Sequence, residues 1–505
     1  MFADLTTSIV DALGEVTYIL PEIILMIAVL IAPLLYMFNK TGKVAAAVSL
    51  VLVIVSALVT FIFLDAGLEG EAFGIFQFDA FSGLMMLLFL AVAALTILIS
   101  PGHVETTKHK GEYYMLLCGA VAGMMFVASA TNLIAIFVGV ELVSIFSYAL
   151  VSLKKNDPRA AEASVKYLII GGFSSALTLY GMSMIYGTTG SLDLYGADGI
   201  ISAVQVMSGN WAFIIGCVGL IAGYGFKIAA VPFHAWAPDV YEGASTPVSG
   251  FLAVASKKMG FVVLFKIFVV MFVAAKTGVF AESFQYVFAI IAAITMTVGN
   301  VVAISQSNIK RMLAYSSIAQ AGYILIALAV MSQYAVMGGL FHMFTHVVMK
   351  GGAFIIVAAL ISAGLGETMD DYRGLAKRAP FIAAAMMIFL FSLAGIPPLA
   401  GFTSKFILFS GAIVDPATGA VTMQWIWLAF IAVLNSAISL YYYARVVKAM
   451  YIEKGKSEEP VKVGKAFLVA IVLCLVGVIV LGVYPTPLLE LCEVAADALF
   501  GLTTL

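Results

Sequence analysis

Charge is what this sequence has least of: 11% of its 505 residues are Asp, Glu, Lys or Arg, against 63% hydrophobic. A water-soluble domain carries roughly a quarter charged residues, so an ordinary soluble fold is excluded. Cysteine is also sparse. Cys118, Cys217, Cys474 and Cys492 each stand alone in apolar surroundings without C-x-x-C spacing. That argues against an iron–sulfur cluster or a zinc site on this chain. The chain holds no G-x-x-x-x-G-K-[ST] loop and no G-x-G-x-x-G after a strand, so no nucleotide loop is expected. Gly216, Gly219 and Gly223 fall inside an apolar run and read as helix-packing positions. Net charge is only −2, so nucleic acid is not indicated as a partner. The start carries Asp4, Asp11 and Glu15 without a basic cluster, and does not read as a cleavable signal peptide.

What the sequence has is apolar length. Roughly twenty apolar residues span a bilayer, and about fourteen such runs follow one another with short loops between them. The expected fold is therefore all-α and integral to the membrane. Helices are expected near 17–38, 44–64, 82–100, 113–129, 131–153, 165–187, 211–233, 245–275, 283–304, 313–331, 335–363, 381–414, 424–447 and 466–486. Sorting the loops by parity separates the charges. One set holds Lys40, Lys43, Lys108, Lys110, Lys154, Lys155, Arg159, Lys310, Arg311, Arg373, Lys377, Arg378, Arg445, Lys448, Lys454, Lys456, Lys462 and Lys465. The other holds Lys276 as its one cation, with acids such as Asp65, Glu69, Glu71, Asp79, Asp193, Asp198 and Asp415. Cations gather on the cytoplasmic side, so both termini are expected outside a cell membrane crossed many times. The loop after helix 7 is the exception, an inner loop bearing Asp239 and Glu242.

Two helices carry internal breaks, helix 7 at Pro232 and helix 12 at Ile396-Pro397-Pro398 between Gly395 and Gly401. Irregular backbone at membrane depth is tolerated only where it is buried or lines a watery cavity. Paired breaks mark inverted-repeat transporters. The expected division is 1–112 for helices 1–3, 113–275 and 276–450 for two inverted five-helix repeats, and 451–505 for helix 14.

Removing the loop cations and Lys276 from the 26 Lys and Arg leaves Lys166, Lys227, Lys257, Lys258, Lys266, Lys350 and Lys405 at or within membrane depth. A charge there costs at least about 2.5–3.5 kcal/mol and needs a partner, water or a purpose. Glu141 is the one acid placed deep in an expected span. It is read as part of a proton relay, with a packing salt bridge as the bland alternative. Lys227 lies beside the helix 7 break, where a Lys–Glu pair of changing separation can bind and release a proton. Lys257 and Lys258 sit near the centre of helix 8, about 100° apart, so one is expected to face the core. Lys266 is expected to snorkel outward. FHMFTHVVMKGG places His342, His346 and Lys350 on one helical face, suited to proton shuttling or to hydrogen-bonded packing. A metal would want an acidic or cysteine neighbour that is not placed there. His234, in VPFHAW, suits gating and interfacial anchoring equally, and Lys166 could be an interfacial anchor.

The stretches EASVKYLIIGGFSSALTLYGMSMIYGTTGS, GFKIAAVPFHAWAPDVYEGASTPVSGFLAVASK, NIKRMLAYSSIAQAGY and LAGIPPLAGFTSKF resemble the antiporter-like subunits of complex-I-type dehydrogenases, the N subunit most of all. The resemblance implies one proton-translocating unit in a redox-driven membrane complex, beside sister antiporter-like subunits. Electrons would pass elsewhere, from NADH, reduced deazaflavin or ferredoxin to a quinone or phenazine. Flavin, iron–sulfur clusters and the quinone or phenazine would then belong to partner subunits, with no cofactor on this chain. The family's functional glutamate falls on Glu141 and its lysines on Lys166, Lys227, Lys257 and Lys405, with Lys405 nearest the outer exit. The H-x-x-x-H-x-x-x-K face looks more like the sister subunits and antiporters, and Lys258 stands where the family often has a small or apolar residue. The rival readings are a subunit of a Mrp-type cation/proton antiporter and a structural scaffold.

Overall fold

Short polar residues set where the helices begin, because a side-chain oxygen one step before a helix accepts one of its unpaired amide hydrogens. Asp79 and Ser82 close a capping box, and Asn132, Asp157, Asn210, Asn308 and Ser332 cap the helices that follow them. In the computed structural model the described residues are 14–103, 109–275, 279–415, 420–421, 423–455 and 457–501. Asp4, Asp11, Lys108, Lys276 and Lys456 lie outside them.

The helices are α1 (Leu20–Phe38), α2 (Lys43–Asp65), α3 (Ala80–Ile99), α4 (Lys110–Ser129), α5 (Leu133–Ser152), α6 (Pro158–Thr189), α7a (Trp211–Ile228), α7b (Trp236–Gly243) and α8 (246–274). They continue as α9 (Val279–Ile304), α10 (Ile309–Val330), α11 (Gln333–Ser362), α12a (Pro380–Ala394), α12b (Ala400–Gly411), α13 (Ile426–Tyr451), α14 (Lys465–Val483) and α15 (Thr486–Gly501). Among the described residues, twelve helices are long and apolar enough to cross a membrane. The chain is a multi-pass membrane protein. Two further expected spans take segmented forms. α8 winds through two π-helical segments, Leu252–Ser256 and Phe265–Val269, and α12 is broken. Among the described residues, strand is confined to two short antiparallel pairs in loops.

Both expected breaks are present. α7a stops at Ile228, where Ala229 turns into the left-handed region (φ 55°), five residues earlier than the expected end at 233. The expected inner loop is itself helical, as α7b. α12a ends at Gly395 (φ 92°), where a residue without a Cβ meets no steric penalty. α7b is held to the end of α7a by Trp236, whose indole N–H donates to the Phe226 carbonyl at 3.0 Å. Gly260 of α8 allows that end to approach: a Cβ there would lie 2.7 Å from Ile228 and 3.1 Å from Lys227.

α8, α10 and α11 form the centre of the bundle and are buried almost throughout, while α1, α2, α13 and α14 turn large apolar side chains outward. That arrangement corrects several expectations. α8 is enclosed on every side, so Lys257 and Lys258 are both buried rather than one. Lys266 does not snorkel; it is buried as well. Lys310, expected among the loop cations, is fully buried, and so is Glu22, an acid near the start of α1. Glu141 is therefore not alone as an interior acid. The tail after α14 adds a further helix, α15, which packs on α11 and α3.

Candidate functional site

On α5, Glu141 and Ser144 are one turn apart and point toward α6 and α7a. Ser175 of α6 donates to Glu141 Oε1 at 2.6 Å. Lys227 of α7a donates to Ser144 Oγ at 2.5 Å and lies beside the rings of Tyr148 and Phe226. Glu141 and Lys227 line one small cavity with Ser174, Ser175 and Thr178. Glu141 is partly exposed at the side of the bundle, whereas Lys227 is buried.

Lys166 is elsewhere. On the first turns of α6 it bonds Glu162 and Asp239, each at 2.7 Å. Asp239 also takes Arg311 at 2.7 Å, and Arg311 reaches Glu242 at the same distance. Lys310 donates to the Glu242 and Ala244 carbonyls and to Glu367. The acids that spoiled the loop-charge pattern are thus matched by cations of α6 and α10. Burial alone would raise the Asp239 carboxyl, but the hydrogen bonds from Lys166 and Arg311 outweigh it and hold the group below its ordinary value.

In the centre, Lys257 Nζ has no hydrogen-bond partner among the described residues and sits 5.5 Å from the Tyr241 ring centroid. The charges of Lys257 and Lys258 both bear on His346, whose two ring nitrogens also lack a protein partner. His346 stands one turn from His342, with ring centroids 6.3 Å apart, and one turn from Lys350. Lys350 donates to Ser316 Oγ at 2.6 Å, and Ser316 in turn bonds the Tyr443 hydroxyl. His342 is bonded on both sides, to Ser404 of α12b at 2.9 Å and to Gln320 Oε1 of α10 at 3.0 Å.

Gln320 also settles how His342 is protonated when neutral. Its amide nitrogen donates to the Leu393 carbonyl at 3.2 Å, so its oxygen must face the histidine. His342 then donates from Nε2 and accepts at Nδ1 from Ser404. The same Leu393 carbonyl accepts from Lys405 Nζ at 2.7 Å, and Lys405 also reaches Ala394 O and Ser436 Oγ. The break in α12 frees those carbonyls, since nothing continues the helix beyond Ala394 to claim them. Lys405 also lies 4.8 Å from the Tyr323 ring centroid and forms part of the wall of a cleft of about 540 Å³ between α12b and α13.

The structure therefore assembles His342, His346, Lys350 and Lys405, with Lys257 and Lys258 against them, in one buried polar line. Glu141 and Lys227 form a second cluster, Lys166 joins a surface ion-pair network, and His234 lies in the α7 break with Nδ1 unpartnered among the described residues. Sequence reading missed Ser144, Ser175, Ser316, Gln320, Ser404, Ser436 and Tyr443. The i, i+4 spacing of Ser316 and Gln320 on α10 was a signal, but their partners are distant in the chain. Among the described residues no group of three His, Cys, Asp or Glu side chains is placed to hold a metal.

Residues 130–439 match the family described as NADH:quinone oxidoreductase/Mrp antiporter, TM. The chain is 44% identical over 432 residues to F(420)H(2) dehydrogenase subunit N of Methanosarcina mazei, with 83% of this chain and 84% of that protein covered. It is 43% identical over 423 residues to NADH-quinone oxidoreductase subunit N of Heliobacterium modesticaldum, covering 84% and 86%. A chain of respiratory complex I from Thermus thermophilus, solved with bound aureothin, superposes with a TM-score of 0.77. It is 29% identical, with 93% of this chain and 98% of that chain covered.

Proposed function

This chain belongs to the NADH:quinone oxidoreductase/Mrp antiporter family, and from that membership we propose that it is the N-type, proton-translocating membrane subunit of a complex-I-type dehydrogenase. It works inside an assembly with other membrane subunits, and the electron-carrying centres belong to those partners. The donor is NADH, a reduced deazaflavin or ferredoxin and the acceptor a quinone or phenazine; the similarity to subunits N of an F(420)H(2) dehydrogenase and of an NADH-quinone oxidoreductase supports a donor of that kind.

One observation carries the reading: a buried line of ionisable side chains through the middle of the bundle, ending at two broken helices. A purely structural subunit has no use for lysines at 227, 257, 350 and 405, each costly to place at membrane depth. Both termini lie outside, α8 and α12 are the two remaining crossings, and 113–275 and 276–450 are the inverted repeats. Protons enter from the inner side near Lys227, pass through the Lys257, His346 and His342 region, and leave outward from Lys405. His234 and Lys166 act at the inner mouth of this route. Movement of charge between Glu141 and Lys227 drives the step, because separating the pair favours release of the lysine's proton.

The test is proton pumping by the assembled complex in sealed vesicles, with Glu141, Lys227 and Lys405 neutralised together. Loss of pumping with intact assembly is expected; undiminished pumping would refute the relay. The histidine–lysine face of α11 favours, as a second reading, a Mrp-type antiporter subunit. Quinone-reductase subunits that co-purify with the chain in mild detergent exclude it.

A further inference from the structure

α8 carries a third buried lysine, Lys266, nine residues beyond Lys257 and about 13 Å further along the axis. Its ammonium donates to the carbonyls of Ala128, and of Ala130 at 2.8 Å, which flank Ser129 at the end of α4. Ser129 donates from its hydroxyl to Glu22 Oε1 at 3.2 Å. Glu22 is completely buried on the first turn of α1, and its second carboxyl oxygen has no partner among the described residues. No cation lies within 4 Å of Glu22 among those residues. The charge bearing on Lys266 is that of Asp79, the buried cap of α3. A buried acid and a buried base thus meet the same turn of α4, the acid at the Ser129 hydroxyl, which also reaches the Met125 and Phe126 carbonyls, and the base at the carbonyls on either side of that serine. This turn lies at the end of the bundle opposite Lys110 and away from the Glu141–Lys405 line.

We propose that Glu22 and Lys266, joined through Ser129, form a second proton-exchanging site at the outer end of the chain's first half. The proposal rests on the proton-translocating reading given above. The relay requires Lys266 to exchange one of its carbonyl acceptors for Ser129 Oγ, with the serine hydroxyl directed at Glu22 rather than at the Met125 or Phe126 carbonyl. The ammonium then gives its proton to the serine oxygen as the serine proton passes to the Glu22 carboxylate. The products are a neutral amine and a carboxylic acid, so no net charge is created in the apolar interior. Glu22, near the outer end of α1, then releases the proton outward, and the amine is reprotonated from the central lysines. A merely structural Glu22 has no need of ionisation. Glutamine in its place keeps the shape and accepts the Ser129 hydrogen bond.

The experiment uses the assembled complex in sealed vesicles, comparing Glu22→Gln, Lys266→Met and Lys405→Ala, with proton pumping and coupled electron transfer measured from pH 6 to 8.5. Glu22→Gln is expected to assemble normally, to lower pumping about threefold or more, and to alter the pH profile. A hydrophobic carbodiimide, which attacks protonated carboxyls in apolar surroundings, is expected to leave an adduct on Glu22 detectable by peptide mass spectrometry. If Glu22→Gln pumps normally across the range while Lys405→Ala does not, the Glu22 site is overturned and the broader reading stands. If both pump normally, both fall. Should Glu22→Gln fail to assemble, the carbodiimide decides on the native complex: an adduct at Glu22 supports the site, and its absence overturns it.

Discussion

Glu141 and Lys227 face the same small cavity without touching: Ser175 holds the acid, and Ser144, one turn further along the acid's own helix, holds the lysine. Their electrostatic coupling therefore acts through space, and the serines determine how far apart the charges rest. The separation of a pair held this way is set by the position of the last turn of α7a, which Trp236 ties to α7b and Gly260 lets pack against α8.

Glu141→Gln tests that coupling. Glutamine preserves the Ser175 contact and removes the charge, so assembly is expected to be unchanged. Coupled turnover is expected to fall roughly tenfold, the effect of about 1.4 kcal/mol. A packing role for Glu141 predicts the opposite result, loss of assembled complex with normal pumping in what remains. Immunoblot-normalised pumping distinguishes them.

Lys405→Ala is expected to reduce pumping and the electron transfer coupled to it, and Lys405→Arg to substitute poorly. Arginine keeps a positive charge for the Leu393 and Ala394 carbonyls but effectively never deprotonates. Near-wild-type pumping in the arginine variant would mean that Lys405 supplies only a countercharge.

Asp239→Asn is expected to weaken the tie between α7b, Lys166 and Arg311 and to lower thermal stability. The folded carboxyl is held below its ordinary value, so its contribution is fully present above the unfolded carboxylate range, about pH 4. It is lost as pH falls through the folded value. The melting-temperature gap between wild type and variant should stay constant from pH 8 to 5 and narrow below about 4. A gap that widens on acidification contradicts the assignment.

Orientation can be measured directly. Cysteines at Asn156 and Glu458 are expected to react only with reagents reaching the cytoplasmic side, and a cysteine at Ala197 only from outside. Mixed reactivity within the first pair would overturn the topology.

Much of this was legible along the chain. The Pro-Pro run and Pro232 marked both breaks, and the i, i+4, i+8 spacing of His342, His346 and Lys350 gave a shared face that the fold buries. Depth from neighbours was not legible. Lys266 reads as a snorkelling side chain and Lys310 as a loop cation because sequence gives height along a helix but not which helices surround it, and both α8 and α10 are enclosed. Glu22 was overlooked for the same reason: it lies near a helix start, where solvent is the default. Gln320, Ser316 and Ser404 look like ordinary small polar residues, and their roles arise from partners contributed by α11, α12 and α13.

The carbonyl of Leu393 receives both Lys405 and the Gln320 amide, and the other end of that amide rests on His342. A carboxamide neither gains nor loses a proton near neutral pH. It conveys orientation between histidine and lysine while insulating one from the other. The line is thus polar throughout but interrupted for protons at Gln320. In the relay proposed above, a proton passes this point only if the glutamine turns, which breaks its bonds to Leu393 and His342. Transfer from His342 would then wait on that rotation, which would keep charge from leaking along the line.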